Sequence, residues 1–337
     1  MNKKLWLLFV GLTVMLLLTA CGTKSKDEVL KELNEKVSTK GYKADAEMTL
    51  QMGTDPQTYE VQIWHKDPSY YRVNLKNAKK DQSQMILKND EGVYVLTPAL
   101  NKSFKFQSEW PENSSQAYLY ESLVKDIEED KGAKFQATDK YYIFETKTRY
   151  QNNKMLPTQE ITLNKKDLSP VSVKVKDTEG AAVVKVKFSN VKFDVDFDKA
   201  DFDLKKSMTA AKLVVPVMGE VDDQTFSVKY PEEQIEGVSL VEEKKVVTEN
   251  GSRVVLTYEG DGKSYTIIQE KAEIAPATAG PITMTGDPID LGFTIGSLSD
   301  NKVTWTFGGV DYIIASTELT KDEMASVARS VQGEAIK

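Results

Sequence analysis

The stretch Tyr59-Glu60-Val61-Gln62-Ile63-Trp64-His65-Lys66-Asp67-Pro68-Ser69-Tyr70-Tyr71-Arg72-Val73-Asn74-Leu75 decides the fold class. Tyr59, Val61 and Ile63 alternate with Glu60, Gln62 and Trp64, and Tyr71, Val73 and Leu75 alternate with Arg72 and Asn74. A period of two is the mark of a strand with one buried face. Asp67-Pro68 breaks the alternation as a turn, so the stretch reads as an antiparallel hairpin.

The same pattern extends both ways. Met85-Ile86-Leu87 passes through Asn89-Asp90-Glu91-Gly92 to Val93-Tyr94-Val95-Leu96, and a shorter strand follows around Phe104-Lys105-Phe106. Further strands are expected at 141–146, 158–163, 170–176 and 182–188, with Val191, Phe193, Val195 and Phe197 continuing the alternation. Helical spacing precedes the sheet: Val29, Leu30, Leu33 and Val37 share a face, and Ser25 with Glu28 fits a capping box. A second helix is expected over 115–129, where Leu119, Leu123 and Ile127 recur every four residues. Beyond 219 the strands resume, at 253–258 and 264–269 around a Glu259-Gly260-Asp261-Gly262-Lys263 turn, then at 289–295, 302–307 and 310–315. The last two are joined across Gly308-Gly309. A terminal helix starts at Thr320 with Glu323 in the third position and carries Met324, Val327, Ala328 and Val331 on one stripe.

Residues 206–219 hold no clear period, with Pro216 and Gly219 as breakers, and read as a linker. The expected organisation is a leader over 1–20, a tether over 21–26, a first domain over 27–205 and a strand-rich second domain over 220–337. The class is α+β.

The leader has its own signature. Lys3 and Lys4 precede the apolar run from Leu5 to Leu18, which is too short to span a bilayer and has the form of a secretory signal peptide. The run ends at Leu18-Thr19-Ala20-Cys21, and Cys21 is the only cysteine of the 337 residues. This tetrapeptide is similar to the lipobox of bacterial lipoproteins. The resemblance implies cleavage before Cys21, a diacylglyceryl thioether on Cys21, and a protein anchored to the outer face of the cell membrane.

Composition narrows the function. The net charge of −7 becomes −9 without Lys3 and Lys4, as 42 basic residues face 51 acidic ones. Nucleic acid is therefore a poor partner, because phosphate binding needs clustered Lys and Arg. The single histidine, His65, falls on the Ile63 face or just past the strand end and reads as a turn or rim residue. One Cys and one His cannot build a zinc site, and no Walker loop or Gly-x-Ser-x-Gly elbow is present. Asp194, Asp196 and Asp198 alternate with Val195 and Phe197, which is a solvated strand face rather than a calcium loop. No cofactor is expected, and the chain does not read as an enzyme.

The order of helix, long meander, mid-chain helix and further strands, closed by Val186-Lys187-Phe188-Ser189-Asn190-Val191-Lys192-Phe193-Asp194 and Phe202-Asp203-Leu204, resembles the Lol-type lipoprotein carriers over about residues 27–205. That resemblance implies a curved antiparallel half-barrel with helices on its concave side, enclosing an apolar cavity for acyl chains. Leu119, Leu123 and Ile127 would line it from the helix, and Val61, Ile63 and Val73 from the sheet. With the lipobox and the segment Trp305-Thr306-Phe307-Gly308-Gly309-Val310-Asp311-Tyr312-Ile313-Ile314, the whole chain resembles the YdcC-type sporulation lipoproteins of endospore-forming bacteria. Two functions follow. The first is a membrane-anchored protein that binds an acyl chain, lipid or lipoprotein. The alternative is a tethered scaffold that docks an envelope protein such as an enzyme of spore peptidoglycan. Aromatic crowding at Tyr59, Trp64, Tyr70, Tyr71, Tyr94, Phe104, Phe106 and Trp110 fits a filled core as well as a lined cavity.

Overall fold

The computed structural model describes residues 24–333 apart from 39, 52–55, 78–82, 112–113, 151–154, 215–225, 234, 249–250, 277–278 and 292. Cys21 and the leader lie outside the described residues.

Helix α1 (Lys26–Val37) leads into five antiparallel strands: β1 (Gly41–Leu50), β2 (Gln57–Lys66), β3 (Tyr70–Asn77), β4 (Ser83–Asn89) and β5 (Gly92–Thr97). After β6 (Lys102–Phe106) comes α2 (Tyr120–Glu129), then β7 (Lys134–Ala137), β8 (Tyr141–Lys147), β9 (Thr158–Asn164), β10 (Pro170–Lys176) and β11 (Ala182–Phe193). Strand β11 returns to pair with β1, so the sheet order is β6-β5-β4-β3-β2-β1-β11-β10-β9-β8-β7, an open sheet with every neighbour antiparallel. Helix α3 (Leu204–Val214) follows.

The remaining strands are β12 (Tyr230–Pro231), β13 (Ser239–Thr248), β14 (Gly251–Gly260), β15 (Lys263–Lys271), β16 (Ile282–Met284), β17 (Asp287–Asp290), β18 (Ile295–Leu298), β19 (Lys302–Phe307) and β20 (Val310–Ala315). Helix α4 (Lys321–Ser330) and β21 (Val331–Gly333) close the chain. A second sheet runs β13-β14-β15-β20-β19-β18-β17, while β16 joins the large sheet in parallel beside β6 as its twelfth strand.

Alternation explains which face each strand buries. Val61, Ile63, Val73, Ile86 and Val95 share one side with Val29 and Leu33 of α1 and Leu123 and Ile127 of α2. Each fully buried Leu, Ile or Val contributes about 1.5–3 kcal/mol relative to exposure, so this layer anchors both helices. The same core runs on without interruption into Leu256, Ile267, Trp305 and Ile314 of the second sheet and Met324 and Val327 of α4. The opposite side of β3–β5 carries a smaller core, where Tyr70, Leu87, Tyr94 and Leu96 meet Phe197, Phe202 and Ala211. Thus two helices cover one side of the large sheet and α3 covers part of the other.

Four segments differ from their sequence reading. Strand β11 ends at Phe193, so Asp194, Asp196 and Asp198 lie beyond it and not on a strand face. Residues 206–214 of the expected linker belong to α3: Leu204, Ser207, Met208 and Ala211 recur at helical spacing, and Ser207 and Ala211 are buried. The mid-chain helix begins at Tyr120, not 115, because side chains hold residues 115 and 116 in place: Ser122 Oγ accepts from Gln116 N at 2.8 Å, and Ser115 Oγ donates to Asp126 at 2.8 Å. The expected strand 289–295 is two strands, β17 and β18, that pair with each other across a tight reversal closed by Leu291 N donating to Thr294 O.

Candidate functional site

Gln84 of β4, Val95 of β5 and Phe104 and Phe106 of β6 border hollows whose other walls come from the second sheet. Pairing of Val95 with Phe104 and of Val93 with Phe106 aims these four residues to one side. On the second sheet, Trp305 pairs with Tyr312, their rings stacked at 5.0 Å and 2°. The Gly308-Gly309 turn holds φ values of 62° and 75°, a conformation that favours glycine, and so lets β19 reverse directly into β20.

Two adjoining hollows result. One, about 50 Å³, is lined by Tyr59, Leu75, Leu100, Phe293 and Phe307 together with the Gly308-Gly309 turn. The other, about 280 Å³, is lined by Phe104, Phe106, Met284, Trp305 and Tyr312. Gln84, Ile295 and Thr306 line both, so the two hollows share a wall, and together they are the slot between the sheets.

Polar side chains are interspersed with the apolar ones, and Gln84 and Thr306 stand where the two hollows meet. Gln84 Oε1 accepts from Ile295 N at 2.9 Å and lies 3.0 Å from the Thr294 hydroxyl, clamping the β17–β18 reversal onto the large sheet. Tyr59 Oη donates to the Phe293 carbonyl at 3.0 Å, and burial pushes its phenol well up, so it stays protonated. Burial likewise pushes Tyr312 up to about 12. Lys102 Nζ pairs with Asp311 Oδ2 at 3.1 Å, and Thr306 Oγ1 donates to the other oxygen of that carboxylate. Ser83, Thr97 and Trp305 are among the lining residues, but their Oγ, Oγ1 and Nε1 atoms are closed off from the open space and buried without a hydrogen-bond partner among the described residues. A buried donor without a partner is costly. A concave, mostly apolar space with a few polar groups suits an apolar or amphipathic ligand.

The residues expected to line an acyl cavity lie elsewhere. Leu119, Leu123, Ile127, Val61, Ile63 and Val73 are brought together on one side of the large sheet, each at most 1% exposed. They belong to the packed core beneath α2, and neither hollow of the slot includes them. The residues that do line the slot come from 59–106 and 270–313. Their alternation was legible, but their pairing across two units was not.

His65 is a core residue, 2% exposed on the Ile63 face, and not a turn or rim residue. Its Nδ1 meets the Tyr70 carbonyl at 3.1 Å and its Nε2 lies 3.2 Å from Glu121 Oε1. Burial pushes the imidazole down to about 4, against the Tyr70 hydrogen bond. Asp194, Asp196 and Asp198 are exposed, and among the described residues no cluster of His, Cys, Asp and Glu could hold a metal ion. Among the same residues no helix is long and apolar enough to cross a membrane.

Comparison with known proteins gives consistent matches. Residues 2–202 match the family model described as sporulation protein YdcC-like. The sporulation protein YdcC of Bacillus subtilis (strain 168) is 54% identical over 337 residues, covering 100% of this chain and 99% of that protein. Among solved structures, the MucA/MucB complex of Pseudomonas aeruginosa aligns at 13% identity and a TM-score of 0.32, over 91% of this chain and 99% of that one. A LolA superfamily protein from Nitrosomonas europaea aligns at 12% identity and a TM-score of 0.32, over 55% of this chain and 100% of that one. The CwlD amidase of Clostridioides difficile in complex with the GerS lipoprotein matches at 16% identity and a TM-score of 0.23, over 52% and 98%.

Proposed function

Because the chain belongs to the family of YdcC-like sporulation proteins, we propose that it acts in sporulation as an envelope lipoprotein whose inter-sheet slot holds an acyl chain. In this reading Cys21 carries the lipid anchor and the folded units stand on the outer face of the membrane. Two chains on such an anchor give durable retention where one gives only marginal binding. The slot then takes an acyl chain of a lipid or of another lipoprotein presented at the same surface.

The observation that supports the reading is the slot itself. Phe104, Phe106, Met284, Ile295, Trp305 and Tyr312 offer apolar walls, and the Lys102–Asp311 pair lies in the same wall. The role is binding and not turnover: the phenols that line the slot stay protonated, and the only histidine lies in the core beneath α2.

Native mass spectrometry of the protein extracted from membranes tests it. Wild type is expected to retain a lipid adduct, and Ile295→Trp, which fills the junction of the two hollows, to lose it while keeping its fold. Equal adducts in both, or none in wild type, would remove the slot as the site. Metabolic fatty-acid labelling that disappears in Cys21→Ala tests the anchor separately.

A further inference from the structure

Strand β13 reads Ser239-Leu240-Val241-Glu242-Glu243-Lys244-Lys245-Val246-Val247-Thr248 and is the outermost strand of the second sheet. It pairs with β14 on one edge only, and residues 239–247 are exposed on both faces. Val247 is 84% exposed and Val241 55%, which is unusual for valine in a ten-residue strand. Among the described residues neither Glu242 nor Lys244 nor Lys245 forms an ion pair, while Glu243 accepts from Tyr230 Oη at 2.8 Å.

A bare edge strand is a template for another strand, and proteins commonly blunt it with lysines or a bulge. Here Val241 is the bulged residue between Leu240 and Glu242, leaving a regular seven-residue run from Glu242 to Thr248. Its lysines do not stand alone: two acidic residues precede two basic ones. That order repels most strands and complements its own reverse.

We infer that β13 is a homotypic docking edge, pairing antiparallel with β13 of a second copy of this chain about a two-fold axis at Lys244. An axis normal to the sheet must set one residue opposite its own copy, as in any isologous contact. Centred on Lys244, the register sets Glu243 opposite Lys245 of the second copy, twice, and Glu242 opposite Val246, twice, all within the regular run. The two Lys244 side chains face each other, with Glu242 of each copy diagonal to them and within reach. Centring on Glu243 would keep only residues 242–244 within the regular run and set the bulged Val241 against Lys245, so Lys244, which pairs 242–246, is the better centre. A five-residue ladder is small beside a standard interface of about 1,600 Å², so the dimer is weak and concentration-dependent. The inference does not rest on the slot or its ligand.

Disulfide trapping of the full chain in membranes tests the register, with the parent chain, whose only cysteine is Cys21, as control. Lys244→Cys should give a covalent dimer under mild oxidation. Glu242→Cys should not, because its copy lies about four residues away along the ladder. Lys245→Glu should weaken dimerisation about tenfold by turning two attractive pairs repulsive, and the exchange Glu243→Lys with Lys245→Glu should restore it. No dimer from Lys244→Cys, equal trapping at 242 and 244, or failure of the exchange to rescue would overturn the proposal. A strand from another protein on this edge would show as a monomer in every trap.

Discussion

Leu123→Ala separates a core helix from a lid. Leu123 is 0% exposed in the middle of α2, in the core that Val61, Ile63 and Val73 share. Truncation removes three carbons, and at about 0.8 kcal/mol each the lost transfer term is about 2.4 kcal/mol. The cavity left behind adds to this, because a close-packed layer relaxes only in part, and brings the expected loss to about 3–4 kcal/mol. A protein of this size should then melt several degrees lower, at roughly 2 °C per kcal/mol. Denaturant unfolding followed by tryptophan fluorescence gives the loss as a lower midpoint, and titration with a fluorescent fatty acid gives the affinity. The account expects lower stability and unchanged affinity, since Leu123 does not line the slot. Wild-type stability with lost affinity would mean that α2 covers the ligand, and the reasoning would fail.

Other substitutions probe the polar core and the boundary. Asp126 is buried and accepts from Arg149 Nε at 2.5 Å, Gln159 Nε2 at 2.5 Å and Ser115 Oγ at 2.8 Å. Asp126→Ala should cost about 3 kcal/mol in urea unfolding, the low end for breaking a buried pair, because Arg149 reaches solvent. His65 titrates near 4 when folded and near 6.5 when unfolded, so its contribution is full above about pH 6.5 and is lost as pH falls toward 4. The loss approaches about 3 kcal/mol, and His65→Phe should flatten that part of the stability–pH curve. A fragment of residues 27–205 cuts α3 after two residues and uncovers Leu87 and Leu96. It should therefore bind a hydrophobic dye more strongly than 27–214.

The sheet was legible because its strands alternate cleanly. The Tyr59–Leu75 hairpin, the Gly308-Gly309 reversal and the capping boxes at Ser25 and Thr320 all stand where local chemistry put them. Helix α3 was obscured because its buried stripe uses Ser207 and Ala211, which carry little hydrophobic signal. Strand β13 was missed because it is exposed on both faces and has no buried alternation to read. The site escaped for a different reason. The six residues Leu119, Leu123, Ile127, Val61, Ile63 and Val73 do converge, but whether converging apolar side chains leave space depends on packing, which periodicity does not encode. The slot depends on Gln84 holding the β17–β18 reversal, a contact between residues more than 200 positions apart.

Photocross-linking of a diazirine fatty acid to the membrane-bound protein, followed by peptide mapping, tests the central claim most directly. The account predicts label on residues 84–106 and 284–313, reduced by Ile295→Trp. Label confined to residues 119–127, or no label above that of a scrambled control protein, would contradict it.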